Sequence, residues 1–169
     1  MPETTTPCPS CGGTVASDAM TCPHCASFHQ GPFKDLKEEY IDTGKVKFIF
    51  REFPFDPLAA AVSMIARCSG ERYFDVVDLF FETQPQWAVR EGALQEIRTL
   101  AMQAGFTRAE FEACLTDQEL LDGINAVKEE GYREHNVTAT PTILIDGEKL
   151  EGSRNIRALR EAIDPKLEG

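Results

Sequence analysis

The sequence predicts an α/β fold in which a small sheet carries a large helical insertion, and three stretches predict it. Lys45 to Phe53 (Lys-Val-Lys-Phe-Ile-Phe-Arg-Glu-Phe) is aromatic and branched, with a middle expected to be buried, as in a strand. From Leu58 to about Glu134 apolar residues recur at helical spacing. At Thr140 the period changes: Thr-Pro-Thr-Ile-Leu-Ile, an Asp146-Gly147 turn and a second short run make a hairpin. Strand, helices and hairpin in that order belong to an α/β architecture.

Taken in order, Met1 to Pro7 is expected to be a disordered leader, and Thr14 to Ala19 is only weakly strand-like. Ala26 to Asp42 reads as a helix with Phe28, Phe33, Leu36 and Tyr40 near helical spacing. Gly31-Pro32 should kink it about two turns in, and Gly44 should end it. Pro54 and Pro57 close the strand that follows. Leu58 to Cys68 carries Ala61, Val62, Ile65 and Ala66 on one side; Arg72 to Glu82 is rich in Phe, Val and Leu. Ala93 to Ala104 points Leu94, Ile97, Leu100 and Ala101 inward. Thr107 with Glu110 makes a capping box for the helix of Phe111 and Cys114. Asp117 caps the next, with Leu120, Leu121, Ile124 and Val127 inward. These stripes read as core. Ser153 to Ile163 is the closing helix. The domains are a segment over 1–19 and a body over 20–169, with the insertion at about 58–134.

A chain of 169 residues is long enough for one domain with its own core. Its formal net charge of -11 excludes a nucleic-acid partner, because a phosphate backbone needs a basic face. No apolar run approaches the roughly 18 residues of a membrane span. Met-Pro-Glu-Thr-Thr-Thr-Pro lacks the basic start and apolar core of a secretory signal, so a cytoplasmic chain or a processed mature form is expected.

The chemistry is expected between Met20 and His29, Met-Thr-Cys-Pro-His-Cys-Ala-Ser-Phe-His. Proline suits the first turn of a helix, which places Cys22 at a helix start. There the unpaired N–H groups and the macrodipole favour negative charge, and thiolate is the reactive form of cysteine. Protonated His24 would lower the Cys22 pKa further. Cys25, one turn on, can close a disulfide. Cys22 is thus the attacking thiol and Cys25 the resolving one.

A second assignment competes for the same sulfurs. Cys8-Pro-Ser-Cys11-Gly-Gly reads as a zinc knuckle, and with Cys22 and Cys25 it gives C-x2-C-x10-C-x2-C. Four thiolates satisfy tetrahedral zinc. On that alternative the protein is a zinc-ribbon, redox-sensitive protein holding one zinc; on the first it needs no cofactor. The glycine that helps a knuckle turn is replaced by Ala26 after Cys25. His29, two turns after Cys22, reads as a surface residue, and His135 as a loop residue.

Cys22-Pro-His-Cys25 at a helix start, a long helical insertion and Thr140-Pro141 before a hairpin resemble DsbA-type thiol-disulfide oxidoreductases of the thioredoxin-like fold. The likeness runs from about Met20 to Ile163. It implies a protein disulfide oxidoreductase acting on unfolded or reduced protein substrates, reoxidised by a quinone-linked membrane protein, in the periplasm. It also implies that Pro141 is cis and packs beside the dithiol, presenting the Thr140 backbone to an extended substrate peptide as an added strand. The leading strand of that family falls here on Gly12 to Asp18, a poor strand sequence, as though a zinc knuckle had replaced it. Cys68 and Cys114, each near a helix end, form either a structural disulfide, favoured in a chain of this type, or two buried thiols that behave as small hydrophobes.

Overall fold

Threonine favours extended backbone, and two threonine-bearing runs flank Cys8 and Cys11. In a computed structural model, which describes residues 5–7, 14–16, 30–89 and 91–168, these runs pair. Strand β1 (Thr5–Pro7) lies antiparallel to β2 (Thr14–Ala16), with Thr5 opposite Ala16, Thr6 opposite Val15 and Pro7 opposite Thr14. The expected disordered leader is therefore partly a strand. Pro7 is compatible with it because each strand of a two-stranded ladder has an edge that needs no donor.

The chain divides into two compact units, Met1–Phe50 with Val137–Gly169, and Arg51–Asn136. In the first, helix α1 (Gln30–Leu36) runs on into a π-helical turn, Lys37–Ile41. Its wider winding shows in Asp42 N–H, which donates to the Lys37 carbonyl at 2.8 Å. Gly31 and Pro32 lie in the first described turn, and the expected start from Ala26 lies outside the described residues. Gly44, at φ +71°, ends the segment as expected, since that backbone conformation disfavours a side chain. Helix α8 (Ile156–Leu167) begins at an Asn155 cap and packs Ile156, Leu159 and Ile163 against Leu36 and Tyr40. Half-buried Phe33, Val46, Phe48, Ile143, Ile145 and Leu150 surround that cluster. The Tyr40 hydroxyl donates to Asp164 at 2.6 Å, and Arg160 pairs with Glu39 through two hydrogen bonds.

Lys45 to Phe53, read as a strand, has no ladder assigned among the described residues. It keeps the alternation of one: Val46, Phe48 and Phe50 are half-buried while Lys47, Ile49 and Arg51 are exposed. A period of two fixes which face is buried, and does not by itself supply a neighbouring strand. The expected buried middle is corrected too, since Ile49 is 59% exposed. The hairpin forms as expected, from β3 (Leu144–Ile145) and β4 (Glu148–Lys149). Asp146 and Gly147 both take positive φ, 50° and 82°, as a tight two-residue turn requires.

The second unit is helical: α2 (Pro57–Cys68), a 3-10 turn over Gly70–Arg72, α3 (Tyr73–Glu82), α4 (Gln84–Trp87), α5 (Ala93–Gln103), α6 (Arg108–Leu115) and α7 (Gln118–His135). Asp56 caps α2 by accepting from Leu58 N–H and Ala59 N–H, both at 2.9 Å. The Thr107–Glu110 capping box is complete, and Asp117 accepts from Leu120 N–H. Ile65, Phe80 and Ile97 are essentially inaccessible, each contributing about 1.5–3 kcal/mol of hydrophobic burial. Trp87 lies edge-on to Phe80 and donates its indole N–H to the Phe80 carbonyl at 2.8 Å. Leu94 was expected inward and is 55% exposed. Ala93, Ile97, Leu100 and Ala101 define the buried stripe of α5, and Leu94 sits at its edge in the first turn. His135 closes α7 rather than lying in a loop.

Candidate redox site

The residues expected to carry the chemistry, Cys22, Pro23, His24 and Cys25, lie outside the described residues, as do Cys8, Cys11 and His29. The flanking elements are described. Phe33 of α1, eight residues after Cys25, packs on the same buried cluster as Ile143, two residues after Pro141. Phe33 and Ile143 therefore share one core. The Thr140–Pro141 peptide is cis. Thr140 is exposed and Pro141 half-buried, and Thr142 Oγ1 donates to the Ala139 carbonyl at 2.7 Å, fixing the bend before β3.

Around this core the ion pairs are local. Glu39 is held below the usual carboxylate range, chiefly by the hydrogen bond from Arg160. Burial, and after it the hydrogen bond to Asp164, pushes the Tyr40 hydroxyl up to about 12. Both groups hold the π turn to α8 and neither is poised for proton transfer near neutral pH.

In the helical unit Cys68 and Cys114 are joined by a disulfide, with an S–S distance of 2.12 Å and Cα atoms 6.2 Å apart. Cys68 is the last residue of α2, and Cys114 lies in the last turn of α6. Cys68 is exposed, while Cys114 is buried with its sulfur 3.2 Å from the Met64 carbonyl. A cleft of about 320 Å³ runs beside the bridge, between Arg72, Phe106 and Glu110.

Sequence reasoning missed one charged cluster. Glu52, 7% exposed, accepts two hydrogen bonds from Arg67, both at 2.5 Å, and one from the Tyr73 hydroxyl at 2.6 Å. The Arg67 guanidinium also lies over the Tyr73 ring, 4.8 Å from its centre. The bond to Glu52 raises Arg67, and burial, then that same carboxylate, holds Tyr73 far above the usual phenol value. Glu52 and Arg67 border a cavity of about 460 Å³ with Asp117, Leu120 and Ile124. Glu52 is committed to Arg67 and Tyr73 and Asp117 serves as a helix cap, while Glu119 also lines the cavity. The available signal was a glutamate inside an apolar run, Phe-Arg-Glu-Phe. Among the described residues Glu130, Glu134 and His135 bring three possible metal-ligand atoms within 4.8 Å of one another, though Arg51 already pairs with Glu130 at 3.3 Å.

The thioredoxin family model matches residues 15–165, nearly the whole chain. The chain belongs to the thioredoxin family. Within it the solved structures that the chain resembles include DsbA proteins. It is similar to the crystal structure of Wolbachia pipientis alpha-DsbA1 at a TM-score of 0.75 and 27% identity, covering 89% of this chain and 82% of that one. A protein-disulfide isomerase from Novosphingobium aromaticivorans aligns at 0.72 and 27%, covering 89% of each chain. Among curated relatives, a Rickettsia bellii protein provisionally named a protein-disulfide oxidoreductase is 29% identical over 150 residues, 88% of this chain and 58% of its own length. Bacillus subtilis disulfide bond formation protein D is 24% identical over 157 residues, 88% of this chain and 69% of its own length. The chain thus spans little more than half the length of the Rickettsia relative.

Proposed function

We propose that this protein is a thiol-disulfide oxidoreductase that introduces disulfides into reduced protein substrates through Cys22 and Cys25. The observation that carries this is the Cys22-Pro-His-Cys25 dithiol inside a chain of the thioredoxin family. A substrate thiolate attacks the Cys22 sulfur of the oxidised pair, breaking the Cys22–Cys25 bond and leaving a mixed disulfide. A second substrate thiolate then displaces Cys22. The substrate has lost two electrons and gained one S–S bond; the protein has gained both as a dithiol. A Cys22 thiolate at the helix start that the sequence predicts, with His24 beside it in the chain, would be a good leaving group and would set the direction toward oxidation of the substrate. Thr140 and Pro141 would supply the strand edge on which the substrate backbone docks. An exported, oxidising compartment fits this role, and a quinone-linked membrane protein would restore the disulfide.

The test is oxidation of a reduced, unfolded ribonuclease by the oxidised chain, read as regained nuclease activity. We expect stoichiometric oxidation, loss of it to background in Cys22→Ser, and mixed disulfides with protein thiols accumulating in Cys25→Ser. An oxidised chain that leaves the substrate thiols untouched, or a Cys22→Ser variant as active as the parent, would contradict the proposal.

A further inference from the structure

The cavity of about 460 Å³ beside the Glu52–Arg67 pair plays no part in the proposed exchange reaction, and all of its walls belong to the helical unit. One wall is α7. Leu120, Gly123, Ile124 and Val127 recur at i, i+3, i+4 and i+7, which puts them on a single helix face. Ile124 is buried, and Leu120 and Val127 are half-buried. Between them Gly123 leaves a notch. It lies inside an 18-residue helix, where glycine is among the poorest helix formers. It is not one of the glycines held at positive φ, and a Cβ built there would meet no neighbouring atom within 4 Å. Neither backbone conformation nor close packing requires glycine here; its effect is to leave the cavity wall open.

The charges at the cavity are unbalanced. Glu52 accepts from Arg67 through both carboxylate oxygens, so that pair carries no net charge. Asp117, the cap of α7, and Glu119, in its first turn, also line the cavity. Asp117 accepts from Leu120 N–H at 2.9 Å through Oδ1, and among the described residues no ion pair joins either carboxylate. An apolar wall that ends at two carboxylates without a counter-ion suits a ligand with a hydrocarbon body and a positive head. The volume is that of a small-molecule site. We propose that this cavity binds a small amphipathic cation, a primary alkylammonium. Its chain lies along Leu120, Gly123, Ile124 and Val127, and its ammonium sits at Asp117 and Glu119. Charge-assisted N–H bonds to the carboxylates fix the head, and burial of the tail supplies the remaining attraction. Binding here does not depend on Cys22 or Cys25.

The probe is n-hexylammonium, titrated at neutral pH and low ionic strength into the full oxidised chain, with 1-hexanol and hexanoate as controls and methyl NMR resonances as the readout. We expect saturable shifts at the Leu120, Ile124 and Val127 methyls with hexylammonium, binding at least about tenfold weaker with hexanol, and none with hexanoate. Gly123→Leu should fill the notch and abolish those shifts, with a thermal midpoint no lower than the parent's, because leucine is the better helix former. Asp117→Asn, which keeps a capping side chain, and Glu119→Gln should each weaken hexylammonium about three- to tenfold and leave hexanol unchanged. If leucine unfolds the chain, Gly123→Ala takes its place: it should weaken binding, and parental affinity would count against the proposal. Hexanoate binding as tightly as hexylammonium would assign the cavity to Arg67 and the start of α7, and would overturn the proposal. So would an absence of saturable shifts, shifts scattered over the surface, a folded Gly123→Leu variant that binds like the parent, or carboxamide variants of unchanged affinity.

Discussion

Two of the chain's cysteine pairs, Cys68–Cys114 and Cys22–Cys25, differ in the helical setting observed for the one and expected for the other. Cys68 ends α2 and Cys114 lies in the last turn of α6, where the helix dipole opposes a thiolate and so disfavours the bridge's reduced form. Cys22 precedes Pro23 and is expected at a helix start, where the same dipole stabilises a thiolate. On the proposed reading the same amino acid holds in one place and reacts in the other. The loop closed by the bridge spans 46 residues of the helical unit, enough for a substantial effect on the unfolded chain.

The largest expected effect is on stability. Removing the bridge by Cys68→Ala with Cys114→Ala should cost roughly 4 kcal/mol by loop entropy. For a chain of this size that lowers the thermal midpoint by about 8–16 °C, measured by circular dichroism on the metal-free oxidised protein. A midpoint unmoved by the double variant would mean that packing, not the bridge, holds α2 to α6.

Second is the charged brace on the same last turn of α2. Arg67→Met strands the buried Glu52 carboxylate and should cost about 3 kcal/mol. Glu52→Gln leaves Arg67, whose side chain is 41% exposed, to be solvated, and should cost less, about 1–2 kcal/mol. Urea titrations of both variants check the order. A reversed order would mean that Arg67 is the group unable to reach water.

Third, reductive titration of the oxidised chain should proceed in two steps, Cys22–Cys25 before Cys68–Cys114, separated by at least about 60 mV, a hundredfold in exchange constant. Smallest is Tyr40→Phe, which loses the bond to Asp164 at about 1 kcal/mol. The Tyr40 pKa is raised from 10.0 to about 12 in the folded state. Its contribution is therefore complete below pH 10 and is lost as pH rises through about 12. The variant's stability should fall less steeply than the parent's across that window in chemical denaturation.

What the sequence made legible was local. The Thr107–Glu110 box, the Asp117 cap and the Asp146-Gly147 turn each satisfy a backbone group within four residues, and each is found where expected. What it hid was non-local. Glu52 finds its partners 15 and 21 residues away, and its place within Phe-Arg-Glu-Phe does not name the two donors that would hold it. The π-helical turn at Lys37–Ile41 has no composition of its own, since its residues suit an α-helix equally well. Lys45 to Phe53 shows the limit of periodicity, which set the burial of Val46 and Phe48 but not a ladder. Strand β1 was missed because three residues of Thr, Thr and Pro resemble a leader until β2 is set beside them. Of the candidate site, the cis Thr140–Pro141 peptide is described, and its neighbour Ile143 shares a core with Phe33.

The contrast between the cysteine pairs is tested most directly by alkylation of the fully reduced, metal-free chain as a function of pH, with each cysteine followed by peptide mass spectrometry. Cys22 should be labelled at about pH 5, at least one pH unit before Cys25, while Cys68 and Cys114 should need alkaline pH. Equal labelling of Cys22 and Cys25, or labelling of Cys68 or Cys114 at the lower pH, would contradict the assignment of one pair to react and the other to hold.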